Sequence, residues 1–255
     1  MSFHHSPRIV TDGLVLYLDA ANPKSYPGSG TDWVNIADTS MTGSITSATY
    51  SSNNLGIFNF DEVNDYVAIS SGSESLNIGT NHTWVWWMKK SDTIGNAYQY
   101  IYSHNTFATA NSCVIFFAEN SVAGGNVSKL YWTYNDTFAG GNGDVAVYTS
   151  QEVTSSIADD QWHMVTLVKS GWSYADHVLY VDNNIKFTSM VNDGNGSTIT
   201  KCNPTGPLNL FRRTDANTAR YWEGNIATFM MYKDKALTEQ EVLQNYNALR
   251  GRFGI

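Results

Sequence analysis

The chain has 255 residues and a formal net charge of −8, with few charged residues but 8 Trp, 15 Tyr and 11 Phe. That balance argues against nucleic acid or an anionic membrane as partner, because no basic patch is large enough to neutralise phosphates. No apolar run is long enough for a spanning helix, which excludes insertion into a membrane by that route. Aromatic and β-branched residues set between Gly, Ser, Thr and Asn point to an all-β fold. One domain of this length buries about three quarters of its unfolded surface, so it needs neither disulfide nor metal to be stable. Cys113 and Cys202 are the only cysteines, and Cys113, inside the apolar run Ser112–Phe117, reads as a buried free thiol.

Met1 to Val10 reads as an N-terminal arm able to dock on a neighbour, and residues 11–255 as one domain. The arm lacks the apolar run of a signal peptide. Leu14, Leu16 and Leu18 share a face of the first strand, and residues 22–33 form a loop by their Pro, Gly and Ser content. Phe58 to Ile69 reads as two short strands joined by a tight polar corner. Phe58 and Phe60 share one face, Tyr66 packs inward, and Val67 and Ile69 take the other alternation. Asp61, Asn64 and Asp65 gather the oxygen donors that Ca²⁺ favours, but Asx side chains also cap turns, and both readings stand. His82 to Lys90 carries apolar groups on both faces, so it lies inside a sandwich. Its Trp84, Trp86 and Trp87 then belong to the core and not to a sugar platform.

Alternation at Tyr98, Tyr100 and Tyr102, at Val114 and Phe116, and around Leu130–Trp132 predicts further strands, with a loop tip at Phe138–Asp144. Trp162 to Lys169 is another strand, and its His163 reads as structural because no nucleophile accompanies it. Residues 170–176 form an insert that turns Trp172 and Tyr174 to solvent. A hairpin follows over Val178–Phe187, turning at Asn183-Asn184.

The C-terminal stretch begins as a strand with Ile226, Thr228, Met230 and Tyr232 on one face and Ala227, Phe229 and Met231 on the other. The period then changes. Thr238-Glu239-Gln240-Glu241 is a capping box, with Leu237 and Val242 at the positions of a hydrophobic staple. Val242, Leu243, Tyr246 and Leu249 form an apolar stripe, Gly251 supplies a stop, and Arg250 and Arg252 suit a helix C-terminus.

Trp222-Glu-Gly-Asn-Ile-Ala227, the run from Tyr232 to Val242, and the run from Asn245 to Phe253 resemble the end of a laminin-G-like domain. That family belongs to the concanavalin A-like lectin/glucanase superfamily, and the version carried by bacteriophage structural proteins is the most similar. The opening strand with Asp19-Ala-Ala-Asn-Pro23 and Ser25-Tyr-Pro-Gly-Ser-Gly30, the corner at 58–69, and the Trp162-His-Met-Val165 strand resemble the same family. The chain departs from it at residues 34–38, and at Glu62 and Asn64, where the family carries Gly and Asp. The resemblance implies two packed antiparallel sheets of jelly-roll type with a short C-terminal helix.

It also implies a function: a non-enzymatic virion surface protein, either a capsid decoration or an appendage subunit. Such a protein associates with other virion proteins and with its own copies, a trimer being one usual arrangement. It is made in the host cytoplasm without a signal peptide and released by lysis. The alternative is a glycan-binding adhesin of a tail or fibre, in which Trp33, Tyr98, Phe138, Trp172 and Tyr174 stack on a cell-surface glycan. A glycoside hydrolase is the third reading. Glucanases of this fold carry a Glu-x-Asp-x-x-Glu strand whose alternation aims its carboxylates into one cleft, and no such triplet occurs here. Asp61-Glu62 and Asp159-Asp160 are adjacent pairs that point to opposite faces of an extended chain. With no nucleophile elbow, zinc motif or phosphate loop, the expectation is a binding protein.

Overall fold

A computed structural model describes residues 7–69, 76–90, 98–105, 109–118, 129–134, 145–149, 153, 156–188, 190–192, 202–214 and 220–255. Its strands in chain order are β1 (Leu14–Asp19), β2 (Asp32–Val34), β3 (Thr42–Thr46), β4 (Thr49–Ser51), β5 (Ile57–Asp61), β6 (Tyr66–Ile69), β7 (His82–Lys89), β8 (Tyr98–His104) and β9 (Cys113–Ala118). They continue with β10 (Lys129–Tyr134), β11 (Val145–Thr149), β12 (Trp162–Lys169), β13 (His177–Val181), β14 (Ile185–Phe187), β15 (Met190–Asn192), β16 (Leu208–Leu210) and β17 (Glu223–Lys233), and helix α1 (Glu239–Leu249) follows. One sheet runs β14-β13-β12-β7-β17-β5-β4 with β1 also on β17; the other runs β15-β11-β10-β9-β8-β16-β6-β3-β2. This is the two-sheet antiparallel sandwich that the sequence predicts.

β17 is the hub. β7 occupies one of its edges, and β5 and β1 share the other in succession. Between the sheets, Trp84, Trp86, Met88, Phe229 and Met231 meet Ile101, Tyr102, Ile115, Trp132 and Leu208. Each large apolar side chain fully buried there contributes about 1.5–3 kcal/mol, which is why the β7 tryptophans serve as core.

The outer face of the β17 sheet is covered as well. Val85, Trp87, Met164, Met230 and Tyr232 pack under Val10, Leu237 and Val242, and the Trp87 ring stacks on Phe253 and Tyr246 at centroid distances of 4.4 and 5.6 Å. The capping box forms as predicted, with Thr238 N donating to Glu241 Oε2 and Glu241 N to Thr238 Oγ1.

Residues 8–10 of the arm lie on this helix of their own chain. Val10 N donates to Asn245 Oδ1, Tyr232 Oη donates to Val10 O, and Gln244 Nε2 donates to Arg8 O.

Several expectations need correction. The register of β17 shifts between Ile226 and Thr228, and this bulge brings Ile226 to the same face as Phe229 and Met231, away from Met230 and Tyr232. A shift in β1 likewise parts Leu14 from Leu16 and Leu18. At the corner, Val67 and Ile69 face the core, so Tyr66 faces outward. In α1 the buried residues are Val242 and Asn245, while Leu243 is exposed. The chain passes Gly251 in a 3-10 turn and reverses at Gly254, which takes the left-handed conformation at φ 77. The hairpin turn is three residues long, with the positive φ on Asp182. Arg252 does not serve a helix dipole; its guanidinium is buried against Asp19 at 2.7 Å.

Candidate functional site

Alternation along the second sheet sends Ile101, Ile115, Leu130 and Trp132 into the core. Their neighbours Tyr100, Val114 and Phe116 stand on the opposite face, where they form a separate cluster with Tyr98 and Tyr131. An irregularity in β8 between Tyr100 and Tyr102 makes this possible: Tyr102 turns inward while Tyr98 and Tyr100 stay outward.

The outward rings form a row across adjacent strands. Tyr100 and Phe116 are 5.0 Å apart and 21° from parallel, and Phe116 and Tyr131 are 5.3 Å apart and 9° from parallel. Strands in a sheet lie about 4.8 Å apart, so pairing in register is enough to stack the rings. Tyr98 meets Phe116 edge-on at 5.8 Å. The middle of the row is buried, and Tyr98 and Tyr131 at its margins are half-buried.

A basic hairpin borders the row. On leaving β16, Phe211 takes φ 68. Its ring turns into the core, 4.5 Å from Phe60, and the following residues turn outward. Arg212 pairs with Tyr221, and Arg213 N donates to Arg220 O at 3.2 Å. Three guanidinium groups then stand over three tyrosines: Arg212 lies 3.6 Å from the Tyr66 ring centre, Arg220 4.2 Å from Tyr98 and Arg213 5.8 Å from Tyr100. Among the described residues, no hydrogen-bond partner faces the buried Arg212 Nε or the buried Thr133 Oγ1, which lies on a strand of this face. Ser103 Oγ accepts from Thr214 N at 3.2 Å beside the hairpin. Tyr98 and Tyr131, half-buried at the margins of the row, are the rings this face offers a ligand with apolar faces and polar edges.

The residues singled out from sequence fall in different places. Tyr98 joins the aromatic row. Trp33 does not face a ligand: it is the inward residue of β2, fully buried with its ring 4.7 Å from Phe58. Phe138 lies outside the described residues. Trp172 is not a solvent-facing ring; it is half-buried over Lys169, whose Nζ is 3.4 Å from the ring centre, and it meets Tyr134 edge-on. Tyr174 is exposed in the 3-10 turn Tyr174–Asp176. Sequence reading missed Tyr100, Phe116, Tyr131 and the arginines as site residues. The available signal was the shared alternation of β8, β9 and β10.

At the polar corner, Asp65 Oδ2 accepts from Asp61 N and Asp61 Oδ1 accepts from Val63 N, each at 2.9 Å, while Asn64 is exposed. Burial raises the Asp65 pKa, against the lowering effect of the Asp61 amide. These oxygens thus serve the corner's own backbone. Among the described residues no group of three or more His, Cys, Asp or Glu side chains is arranged to hold a metal.

His163 is held between Asp182 Oδ2 at 2.8 Å and Asp159 Oδ1 at 3.0 Å. Burial alone would lower its pKa, but the two carboxylates outweigh it and raise the value. Inside the sandwich the trend reverses. Lys169 Nζ donates to the carbonyls of Gly79 and Thr80, and burial pulls its pKa to about 7. His177 Nδ1 donates to Ser173 O, leaving Nε2 to accept from Tyr134 Oη. Burial brings His177 to about 3 and His104 to about 4.

No family model matches the chain, and no curated protein matches its sequence. Solved structures do. The binding domain of botulinum neurotoxin serotype D/C superposes with a TM-score of 0.59 at 13% identity, covering 94% of this chain and 53% of the toxin domain. The serotype D binding domain gives 0.60 at 13% identity, over 93% and 51%. A Trypanosoma rangeli sialidase solved with sialic acid gives 0.60 at 10% identity, over 98% and 36%. The fold is a jelly-roll β-sandwich. The chain spans about half the length of the toxin domains and about a third of the sialidase, and at these identities the likeness is one of fold alone.

Proposed function

We propose that this protein is a non-catalytic, carbohydrate-binding β-sandwich, and that its ligand surface is the outer face of the β8–β9–β10 sheet. The observation that carries the reading is the stacked row Tyr100–Phe116–Tyr131 with Tyr98, bordered by three arginines. Sugar rings stack their C–H faces on aromatic rings and present hydroxyls at their edges to polar groups. Three of the structural neighbours lend support: two are toxin binding domains, one is a sialidase holding sialic acid. Cell entry of a further neighbour, botulinum neurotoxin type C, depends on interaction with two ganglioside molecules.

A binding role is favoured over hydrolysis by where the carboxylates are spent. Asp61 and Asp65 hold a corner, Asp159 and Asp182 hold His163, and Glu241 caps α1. The setting we propose, from the sequence resemblance to phage laminin-G-like proteins, is a virion surface, with the protein present as a homo-oligomer beside other virion proteins.

A glycan array tests the binding reading. The wild-type protein is expected to retain saccharides, and Tyr98→Ala with Tyr131→Ala to weaken binding about ten-fold, or 1.4 kcal/mol. No binding to any saccharide would overturn it. Mass spectrometry of purified virions tests the setting: high copy number indicates decoration, low copy number a tail or fibre, and absence from particles refutes it.

A further inference from the structure

We infer that copies of this chain associate head to tail, with Leu55 of one copy seated in the groove that Leu14, Val15, Ile36 and Met41 line on the next. The inference rests on the homo-oligomer reading above and goes beyond it by naming the contact.

Leu55 breaks two local rules at once. Its φ is 67, in the left-handed region where a Cβ crowds the following carbonyl and where glycine or asparagine is the usual occupant. Its side chain is also 72% exposed, so burial in its own core does not offset the strain. A lone exposed leucine is ordinary, but strain kept at an exposed apolar position points to a use outside the fold.

The strain is held by contacts on the backbone around it. Asn54 is left-handed as well, at φ 49, and Gly56 follows at φ 145. Arg252 Nε donates to Asn54 O at 2.6 Å, its Nη2 donates to Gly56 O, and Asn54 Nδ2 donates back to Arg252 O. Gly56 is pressed on Ala20 and Ala21 so closely that no Cβ fits. The turn is thus fixed, and what it presents to solvent is one large apolar side chain.

The receiving surface lies at the other end of β1. Arg252 ties the Leu55 turn to Asp19, whereas a groove of about 630 Å³ opens beside Leu14 and Val15, with Ile36, Met41 and Asp38 in its lining. The ends of this six-residue strand are about 17 Å apart, further than a leucine reaches, so the groove takes the knob of another copy. Charge fits the same pairing. Lys24 is exposed in the loop leaving β1 at the knob end. Asp38 is exposed at the groove, where Ser40 N and Ser40 Oγ both donate to its Oδ1 and leave Oδ2 for a cation. Opposite charges at the two ends favour knob against groove and disfavour knob against knob. Because the two surfaces differ, the contact is heterologous and closes into a ring.

Sedimentation velocity on the full chain tests this. The wild-type protein is expected to associate as its concentration rises, and Leu55→Gly to raise the dissociation constant about ten-fold or more. Its urea midpoint, measured at the lowest concentration so that association adds little, is expected to equal or exceed that of wild type, because glycine relaxes the turn. Leu55→Asn is expected to behave alike. Asp38→Lys is expected to weaken self-association through the groove. Mixing Leu55→Gly, which keeps its groove, with Asp38→Lys, which keeps its knob, is expected to restore a single contact and give a 1:1 dimer. A wild-type chain that stays monomeric would overturn both this inference and the homo-oligomer reading. Association that survives in Leu55→Gly would overturn the inference alone, as would failure of the mixture to dimerise. A lowered urea midpoint in both Leu55 variants would show that Leu55 serves its own fold and would also overturn it.

Discussion

The guanidinium of Arg252 meets the carboxylate of Asp19 at 2.7 Å, joining the last turn of the chain to the end of β1, and both side chains are almost fully buried. Arg252 also donates through Nε to Asn54 O at 2.6 Å and through Nη2 to Gly56 O. Asp19 in turn accepts from Tyr17 Oη and from Ala21 N. Removing one member of a buried pair leaves an uncompensated charge, at a cost of about 3–5 kcal/mol. Arg252→Ala is therefore expected to lower the urea midpoint by that equivalent. Arg252→Lys should recover only part, since an ammonium cannot serve all three acceptors in one plane. An unchanged midpoint in Arg252→Ala would refute the assignment.

Asn245 ties the arm to the helix. It accepts from Val10 N and donates to Tyr232 Oη, inside the sandwich of arm, helix and sheet. Asn245→Ala leaves a buried amide without an acceptor, at about 1–3 kcal/mol. Hydrogen exchange at the Val10 amide should then accelerate far more than at core amides of β7; equal acceleration at both would mean global destabilisation instead.

Acid should destabilise the protein. His82, His104 and His177 are buried with pKa values below the usual 6.5, the latter two at about 4 and about 3. Below pH 6.5 the unfolded chain takes up protons that the folded chain refuses, so stability falls as pH drops through that range. His163 acts in the opposite sense: its raised pKa stabilises the fold below 6.5, and this contribution is lost as pH rises through the folded value. Three groups outweigh one. Urea midpoints should fall from pH 7 to pH 4, and fall more steeply in His163→Gln.

On the alkaline side, Lys169 gives a slope of the other kind. Its folded pKa of about 7 lies below the ordinary 10.5, so the cost of burying its charge is fully present below 7 and disappears as pH rises toward 10.5. Stability should increase across that window. It should then decline above pH 10, where Tyr17, Tyr102, Tyr134 and Tyr232, all raised by burial, resist the ionisation available to the unfolded chain. Lys169→Met is expected to abolish the rise between pH 7 and 10; if the rise persists, Lys169 is not its source.

The polar corner should behave as a turn. With Asp61 and Asp65 oxygens engaged by backbone amides, EDTA is expected to leave the melting temperature unchanged and Asp65→Ala to lower stability by about 1–3 kcal/mol. A drop in melting temperature on chelation, reversed by Ca²⁺, would contradict this.

What the sequence disclosed and what it withheld follow one physical division. Features governed by neighbours along the chain were readable: the capping box at Thr238–Glu241, and the two-faced burial of β7. Features set by partners far along the chain were not. Ile226 changes face through a bulge that no local pattern announces, and Arg252 finds Asp19 across 233 positions. Tyr66 looked inward because its hydroxyl-bearing ring fits either face; the cover it receives from Arg212 comes from a hairpin nearly 150 positions away. The aromatic row was hidden for the same reason. Each strand shows its own alternation, but only the register between β8, β9 and β10 stacks the rings.

The position of β17 has a consequence for biosynthesis. Because β7, β5 and β1 all hydrogen-bond to it, the first sheet stays in three unjoined pieces, β14-β13-β12-β7, β5-β4 and β1, while the ribosome is still adding residues before Glu223. Such a nascent chain carries its tryptophans exposed for most of translation, and contacts this distant in sequence form slowly. Chaperone occupancy during synthesis should therefore be long and should end abruptly once the final strand clears the exit tunnel.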